Sequence, residues 1–364
     1  MMMNKNQFYS LDKIKKHNAT YNVIFGERSN GKTYALLEES LKQYFKNGSQ
    51  MAYVRRWKED IVGKRATGVW SGINANNLVE KYSDGRFTLV HYWASRFYLA
   101  NYDESGKIIY SDSDVIGHTF ALSDGEHNKS ISFPHIRTIM FDEFLTKSLY
   151  LQDEFVHFMN TVSTIVRKRE DVKIYMLGNT VNRYSPYFSE MGLKHILKME
   201  QGSIDVYKYG DSKLTVAVEY CADGSKNKAN NHYFAFDNPK LEMITSGAWE
   251  LSIYPHIPIK YKPKDIQFTF FIIFDEQIFK GDLVLVDDIH FIYITKKTTE
   301  IKYPDSDLIY TLDYIPRFNY NRNIMKPINK VQETVKWYFV NDRVFYQDNE
   351  VGDTIQNYIK ICKG

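Results

Sequence analysis

Residues 21–37 read YNVIFGERSNGKTYALL: an apolar run, a glycine-bounded polar loop, then apolar residues at helical spacing. The loop Gly26-Glu27-Arg28-Ser29-Asn30-Gly31-Lys32-Thr33 fits G-x4-GK[ST], and it lies between a strand and a helix as that pattern requires. Gly26 and Gly31 allow the backbone to curl around phosphate, whose charge meets amide donors and a helix N-terminus. Lys32 places a cation on the β- and γ-phosphates, and the Thr33 hydroxyl is a ligand for Mg²⁺. The loop therefore predicts ATP with Mg²⁺ as cofactors.

Working outward, three further apolar runs of strand length follow: 51–54 (MAYV), 136–141 (IRTIMF) and 172–177 (VKIYML). The stretches 32–45 and 150–167 carry apolar residues at helical intervals, with Ala35, Leu36, Leu41, Tyr44 and Phe45 able to share one face of the first. Strands alternating with helices predict an α/β fold with a mostly parallel sheet. Residues 87–110, broken by short polar turns, predict a small antiparallel meander. The polar text around 220–231 (CADGSKNKANN in its centre) predicts a linker. Beyond it a helix is expected over 239–249, three strands over 268–297 with turns near Asp275-Glu276 and Asp287-Asp288, and a helix over 328–340. The division expected is an ATPase domain at 1–205, a linker at 206–235 and a smaller α+β domain at 236–364.

The run at 136–141 ends in Asp142-Glu143. Hydrolysis needs one carboxylate to hold Mg²⁺ and another to orient and polarise the attacking water, and adjacent acids at a strand end can divide those tasks between Asp142 and Glu143. The fourth strand ends in Gly178-Asn179-Thr180, where the Asn179 amide can sense the γ-phosphate. Two basic segments, VRRWK (54–58) and VRKRE (166–170), offer a cation that a ring motor lends to its neighbour's site. Arg167 is the leading candidate and Arg169 a lesser one. Arg55, Arg56 and Lys58 divide between nucleotide, interface and DNA roles.

Composition excludes other classes. The chain has 364 residues with 43% hydrophobic and 25% charged, so long disorder is not expected. Two cysteines, Cys221 and Cys362, make neither a disulfide scaffold nor a zinc module, and fit a reducing interior. No signal peptide and no apolar run of spanning length is present, which predicts a cytoplasmic protein with no membrane partner. The net charge of +3 permits transient phosphate contacts without arguing for a static grip on a polyanion. None of the ten histidines has ligand spacing.

Taken in order, IFGERSNGKTYA, MAYVRRWKEDI, IRTIMFDEFL, TIVRKRE and MLGNTVNRYSPYF resemble the DNA-encapsidation (genome-packaging) ATPases of small tailed bacteriophages. These are ring-forming P-loop motors with an additional core strand and a catalytic glutamate, the ASCE class. The resemblance covers roughly residues 20–190. It implies a homo-oligomeric ring, five subunits by analogy, docked on a portal at a procapsid vertex in the host cytoplasm and driving double-stranded DNA inward with ATP. A scaffold RNA between motor and portal is a partner that the sequence leaves open. The resemblance makes Arg167 the trans-acting finger and Lys58 a second trans-acting cation. Relatives also suggest an RNase H-like C-terminal domain. Its candidate nuclease acids are Asp275, Glu276, Asp282, Asp287, Asp288 and Asp313, although turn positions suit such residues anyway. A nuclease-silent domain that binds nucleic acid or portal through Lys260, Lys262, Lys264, Lys296 and Lys297 is the favoured expectation.

The alternatives are a small-molecule kinase or GTPase, a cellular helicase or secretion ATPase, and a nucleotide-locked adaptor. No Asn-Lys pair is followed by the aspartate of a guanine-reading segment. A kinase has no need of the adjacent acids followed by a basic finger, and Glu143 counts against an adaptor that does not turn over.

Overall fold

A computed structural model describes residues 9–124, 131–146, 149–181, 184–222, 249 and 252–363. The chain divides into two compact units, Met1–Glu250 and Leu251–Gly364.

The first unit runs α1 (Asp12–Lys15), β1 (Tyr21–Gly26), α2 (Lys32–Asn47), β2 (Gln50–Arg55), the short helices α3 (Gly63–Gly68), α4 (Ser71–Ala75) and α5 (Leu78–Tyr82), then β3 (Leu89–Trp93), β4 (Arg96–Tyr102), β5 (Ile108–Ala121), β6 (Ile136–Asp142), α6 (Glu154–Val166), β7 (Lys173–Asn179), α7 (Pro186–Glu190), β8 (Ile204–Lys208) and β9 (Thr215–Tyr220). The strands form one nine-stranded sheet in the order β3-β4-β5-β2-β6-β7-β1-β9-β8. From β5 to β9 every neighbouring pair is parallel, while β3, β4 and β8 add antiparallel edges. β7 lies between β1 and β6, so the strand feeding the phosphate loop and the strand ending in the acids flank a third.

Both faces of this sheet are covered, which is why β1 is buried along its whole length and reads as a continuous apolar run. Alternation sorts its side chains. Tyr21, Val23 and Phe25 join Ala52, Val54, Ile139, Phe141, Ile174 and Met176 beneath Phe158, Val162 and Ile165 of α6 and Tyr187 of α7. Ile24 joins Met51, Tyr53, Met140, Tyr175 and Leu177 beneath Leu36, Leu37 and Leu41 of α2.

Two expectations need correction. Residues 206–235 are not simply a linker: β8 and β9 fall largely or wholly within that stretch, and β9 pairs in parallel with β1 from Tyr21↔Val216 to Phe25↔Tyr220. The polar text begins only after this strand, and the unit boundary falls at Glu250. The meander likewise does not stop at Tyr110. β5 continues to Ala121, exposed at first and then buried, and its second half pairs in parallel with β2 from Met51↔Gly117 to Arg55↔Ala121. Most of the helix expected over 239–249 lies outside the described residues; Trp249 is buried against Phe25, Phe188 and Tyr220.

The second unit contains β10 (Ile266–Phe274), β11 (Gln277–Val286), β12 (Ile289–Lys297), β13 (Leu308–Thr311), β14 (Tyr320–Asn321), α8 (Lys330–Val340), β15 (Val344–Tyr346) and α9 (Asn349–Lys363). Its sheet has the order β14-β13-β10-β11-β12-β15, and β11 alone runs against the others. Asn329 caps α8 by accepting the Gln332 amide at 3.0 Å. α9 buries Val351, Ile355, Tyr358 and Ile359.

Candidate active site

The carboxyl ends of parallel strands are where connecting loops and helix N-termini meet. At that edge a cleft of about 290 Å³ is lined by Ser29, Asn30, Gly31, Lys32, Thr33 and Tyr34 of the loop and α2, by Asp142 and Glu143 after β6, and by Leu177, Gly178 and Asn179 of β7. Two glycines make the loop possible. Gly31 caps α2 at φ 91°, a conformation costly for a side chain. At Gly26 a Cβ would stand 2.9 Å from the Cys221 Cβ, so the loop can leave β1 past β9 only without one. The loop is tied at both sides: the Thr180 amide donates to the Gly26 carbonyl at 3.2 Å, and the Tyr9 amide to the Asn30 carbonyl at 2.8 Å.

The Lys32 ammonium donates to the Glu27 carbonyl at 2.6 Å, to Asn30 Oδ1 at 3.1 Å and to Asn179 Oδ1 at 3.3 Å. Thr33 Oγ1 donates to Asp142 Oδ1 at 3.2 Å, and the Tyr53 hydroxyl to Asp142 Oδ2 at 3.2 Å. Burial shapes the charges. It pushes the Lys32 ammonium below its usual pKa, against the pull of Cys221, Asp142 and Glu27. It pushes the Asp142 carboxyl up, helped by Glu143 and opposed by Arg55, Thr33 and Tyr53. A desolvated cation and a desolvated anion are each favoured by a partner of opposite sign. A triphosphate would supply the first and a divalent cation the second.

The donor set fits that pair of ligands. The first turn of α2 has amide groups without intrahelical acceptors, which suit phosphate oxygens. Thr33 and Asp142 offer hard oxygen donors side by side, as Mg²⁺ prefers when phosphate and water complete its shell. Among the described residues no group of three or more His, Cys, Asp or Glu side chains converges, so a metal held wholly by protein is not indicated there.

Glu143 stands in the left-handed region at φ 58°, with its side chain 56% exposed and its carboxylate 2.6 Å from Arg55 Nη2. Arg55 also reaches Asp60 Oδ2 and the Tyr53 hydroxyl, both at 3.4 Å. Arg55 is one of the basic residues for which a nucleotide role is expected, whereas Tyr53 is marked in the sequence only as part of an apolar strand. The alternation of β2 places them on the α2 face with the cleft and sends Arg56 to the opposite face. Arg56 is buried and paired with Glu154, which leaves the nucleotide and DNA roles considered for it without support.

Other expected residues do not line the cleft. Glu27 is buried and contributes its carbonyl, and Arg28 is exposed. Lys58 is exposed beyond the end of β2, with its ammonium 2.8 Å from Asp124, which holds its pKa up. Arg167 caps α6 at φ 42°, is exposed, and donates to the Ile131 carbonyl at 2.9 Å. Arg169 donates to the Ile136 carbonyl at 2.7 Å and to the Pro134 carbonyl at 3.1 Å, so it caps backbone where β6 begins. The VRKRE turn therefore sits at the amino end of β6 and the acids at its carboxyl end, about 20 Å apart along the strand. Arg167 cannot serve the cleft of its own chain.

In the second unit the acids do not gather. Asp282 on β11 is buried and accepts from Thr269 and Lys280 at 2.7 Å and from Tyr261 at 3.3 Å. Asp275, Glu276 and Asp287 occupy hairpin turns at positive φ.

A model of the podovirus DNA encapsidation protein (Gp16) family matches residues 3–208. The chain is similar to the DNA packaging protein of Bacillus phage PZA, 23% identical over 276 residues, which are 75% of this chain and 74% of that protein. With the DNA packaging protein of Bacillus phage phi29 it is 28% identical over 189 residues, 51% of this chain and 50% of that protein. Its fold is similar to that of the Phi-28 gp11 DNA packaging motor, with TM-score 0.53 and 19% identity over 99% of both chains. It is also similar to a chain of the bacteriophage Phi-29 viral genome packaging motor assembly, with TM-score 0.54 and 20% identity over 96% of this chain and 97% of that one. The family match spans more than half the sequence, including the phosphate loop, the two acids and the basic turn after α6, and the chain belongs to the podovirus DNA encapsidation protein (Gp16) family.

Proposed function

We propose that this chain is the ATPase subunit of a homomeric ring, five-membered as the resemblance of its motifs implies, that drives double-stranded DNA through a portal into a procapsid in the host cell. The observation that carries this reading is the convergence of Lys32, Thr33, Asp142 and Glu143 on one cleft at the carboxyl edge of a parallel sheet. Lys32 and the α2 amides hold the phosphates. Thr33 and Asp142 would hold Mg²⁺, which would supply neutralisation of the phosphate charge. Glu143 orients the attacking water and accepts its proton, which requires its carboxylate to release Arg55. Asn179, beside the Lys32 ammonium, registers loss of the γ-phosphate.

Arg167 completes the site of the adjacent subunit, a role supported by its exposure and by its distance from its own cleft. Lys58 is a second trans-acting cation once it leaves Asp124. The second unit is read as RNase H-like. The order third-second-first-fourth-fifth, counted from β10 with only the second strand reversed and with β15 added beyond the third, supports that reading. Its sheet carries no gathered acids among the described residues.

The test is turnover by the full chain. Mg²⁺-dependent ATP hydrolysis should rise when double-stranded DNA is added, and Glu143→Gln should lower it by about 10²–10⁴-fold while ATP still binds. Turnover indifferent to DNA would move the chain toward a small-molecule kinase.

A further inference from the structure

Behind the cleft, on the face of the sheet away from α2, lies a buried ion pair that the chemistry described so far does not use. Arg56 Nε and Nη2 meet the two Glu154 oxygens at 2.6 and 2.9 Å, with the Glu154 side chain fully enclosed. The Tyr187 hydroxyl donates to Glu154 Oε1 at 2.8 Å, and the Leu151 amide to Oε2 at 2.8 Å. The Arg56 guanidinium lies 4.9 Å from the Tyr150 ring centroid. Its remaining donors reach the main chain of the turn after β6: Nη1 to the Glu143 carbonyl at 3.2 Å, and Nη2 to the Phe144 carbonyl at 2.8 Å. The Phe144 amide is held in turn by the Leu177 carbonyl of β7 at 3.1 Å.

An enclosed ion pair of this kind contributes little net stability, because desolvation cancels most of its attraction, and a well-packed apolar replacement is often neutral. What the planar fork of arginine does supply is fixed geometry at several acceptors at once. Here those acceptors include consecutive carbonyls of a turn whose first residue, Glu143, stands at a positive φ that is uncommon for a non-glycine residue. The direction of the Glu143 side chain follows from that turn.

We propose that Arg56 and Glu154, with Tyr187, are positioning residues for hydrolysis: they hold the backbone that aims Glu143 at the attacking water. This rests on Glu143 acting as the water-polarising base. Arg56→Lys keeps the charge and loses the fork, Glu154→Gln keeps the shape and loses the charge, and a paired Arg56→Met, Glu154→Met variant replaces both by apolar side chains. Each should lower kcat for ATP by about 10–100-fold, as misaimed catalytic groups do, with KM and the affinity for a fluorescent ATP analogue unchanged within about twofold. A folded paired variant with wild-type kcat overturns the proposal, and so does a kcat loss matched by weaker nucleotide binding. Should the core variants fail to fold, Tyr187→Phe removes one hydrogen bond from Glu154. Its kcat should fall a fewfold at constant KM, and an unchanged kcat overturns the proposal equally. Glu143→Gln measured alongside separates the two levels: turnover insensitive to that change removes the role of Glu143 itself.

Discussion

The two sheets place their acids in opposite ways. In the first, strands running the same direction deliver Lys32, Asp142, Glu143 and Asn179 to one edge, where burial shifts both Lys32 and Asp142 from their ordinary titration. In the second, β10, β11 and β12 reverse at each turn, so Asp275 and Glu276 fall at one end and Asp287 at the other, while Asp282 is spent on Thr269 and Lys280. Acidic residues do not make a catalytic centre by abundance. Parallel strands joined by crossovers bring their carboxyl ends together, and the β10-β11-β12 hairpins send theirs apart.

The contrast is sharpened most by Arg167→Ala. A site at one edge that takes its last cation from the far edge of another copy should lose about 10³–10⁵-fold in turnover when every subunit carries the change. In mixed rings the altered subunits should regain hydrolysis wherever a neighbour supplies the arginine. Full activity from a strictly monomeric Arg167→Ala chain would break the assignment. A smaller effect of another kind is expected from Asp282→Asn: a loss of about 1–3 kcal/mol in stability, read by denaturant unfolding, from weakening a buried acceptor. ATP turnover should not change, and a drop in turnover at unchanged stability would give the second sheet a catalytic role.

The smallest effect concerns a half-buried polar group on β5. Burial, with help from Arg96, pushes the His118 imidazole down to about 4. Its folded pKa lies below the ordinary 6.5, so the unfolded chain binds the extra proton between those values. Its contribution is complete above pH 6.5 and is lost as pH falls through 4. The loss is on the order of 1–2 kcal/mol after allowing for partial exposure. Denaturant unfolding at pH 7, 5.5 and 4 should show a shallower decline for His118→Leu than for the unaltered chain.

Much of the first unit was legible because its signals are local. The apolar runs gave β1, β2, β6 and β7, and the phosphate loop and Asp142-Glu143 are contiguous strings whose chemistry depends on adjacency. What escaped was carried by partners distant in sequence. TVAVEY looks like the approach to a polar linker until β1 pairs with it. The second half of β5 has Gly117 at its centre, where a Cβ would collide with Met51, and no run of branched residues marks it as a core strand. Arg55 and Arg56 are neighbours in one basic string, and only strand alternation assigns one to Glu143 and the other to Glu154, 98 positions away.

The helix α6 has one last consequence. It begins at Glu154, tied to the turn that carries Glu143, and ends under Arg167, about 20 Å later at 1.5 Å per residue. On the proposed reading of Arg167, a single chain owns the halves of two different reaction chambers and completes neither. Diluted below the concentration at which copies associate, it should still hold nucleotide yet fall silent, so specific activity should climb steeply with protein concentration before it levels off.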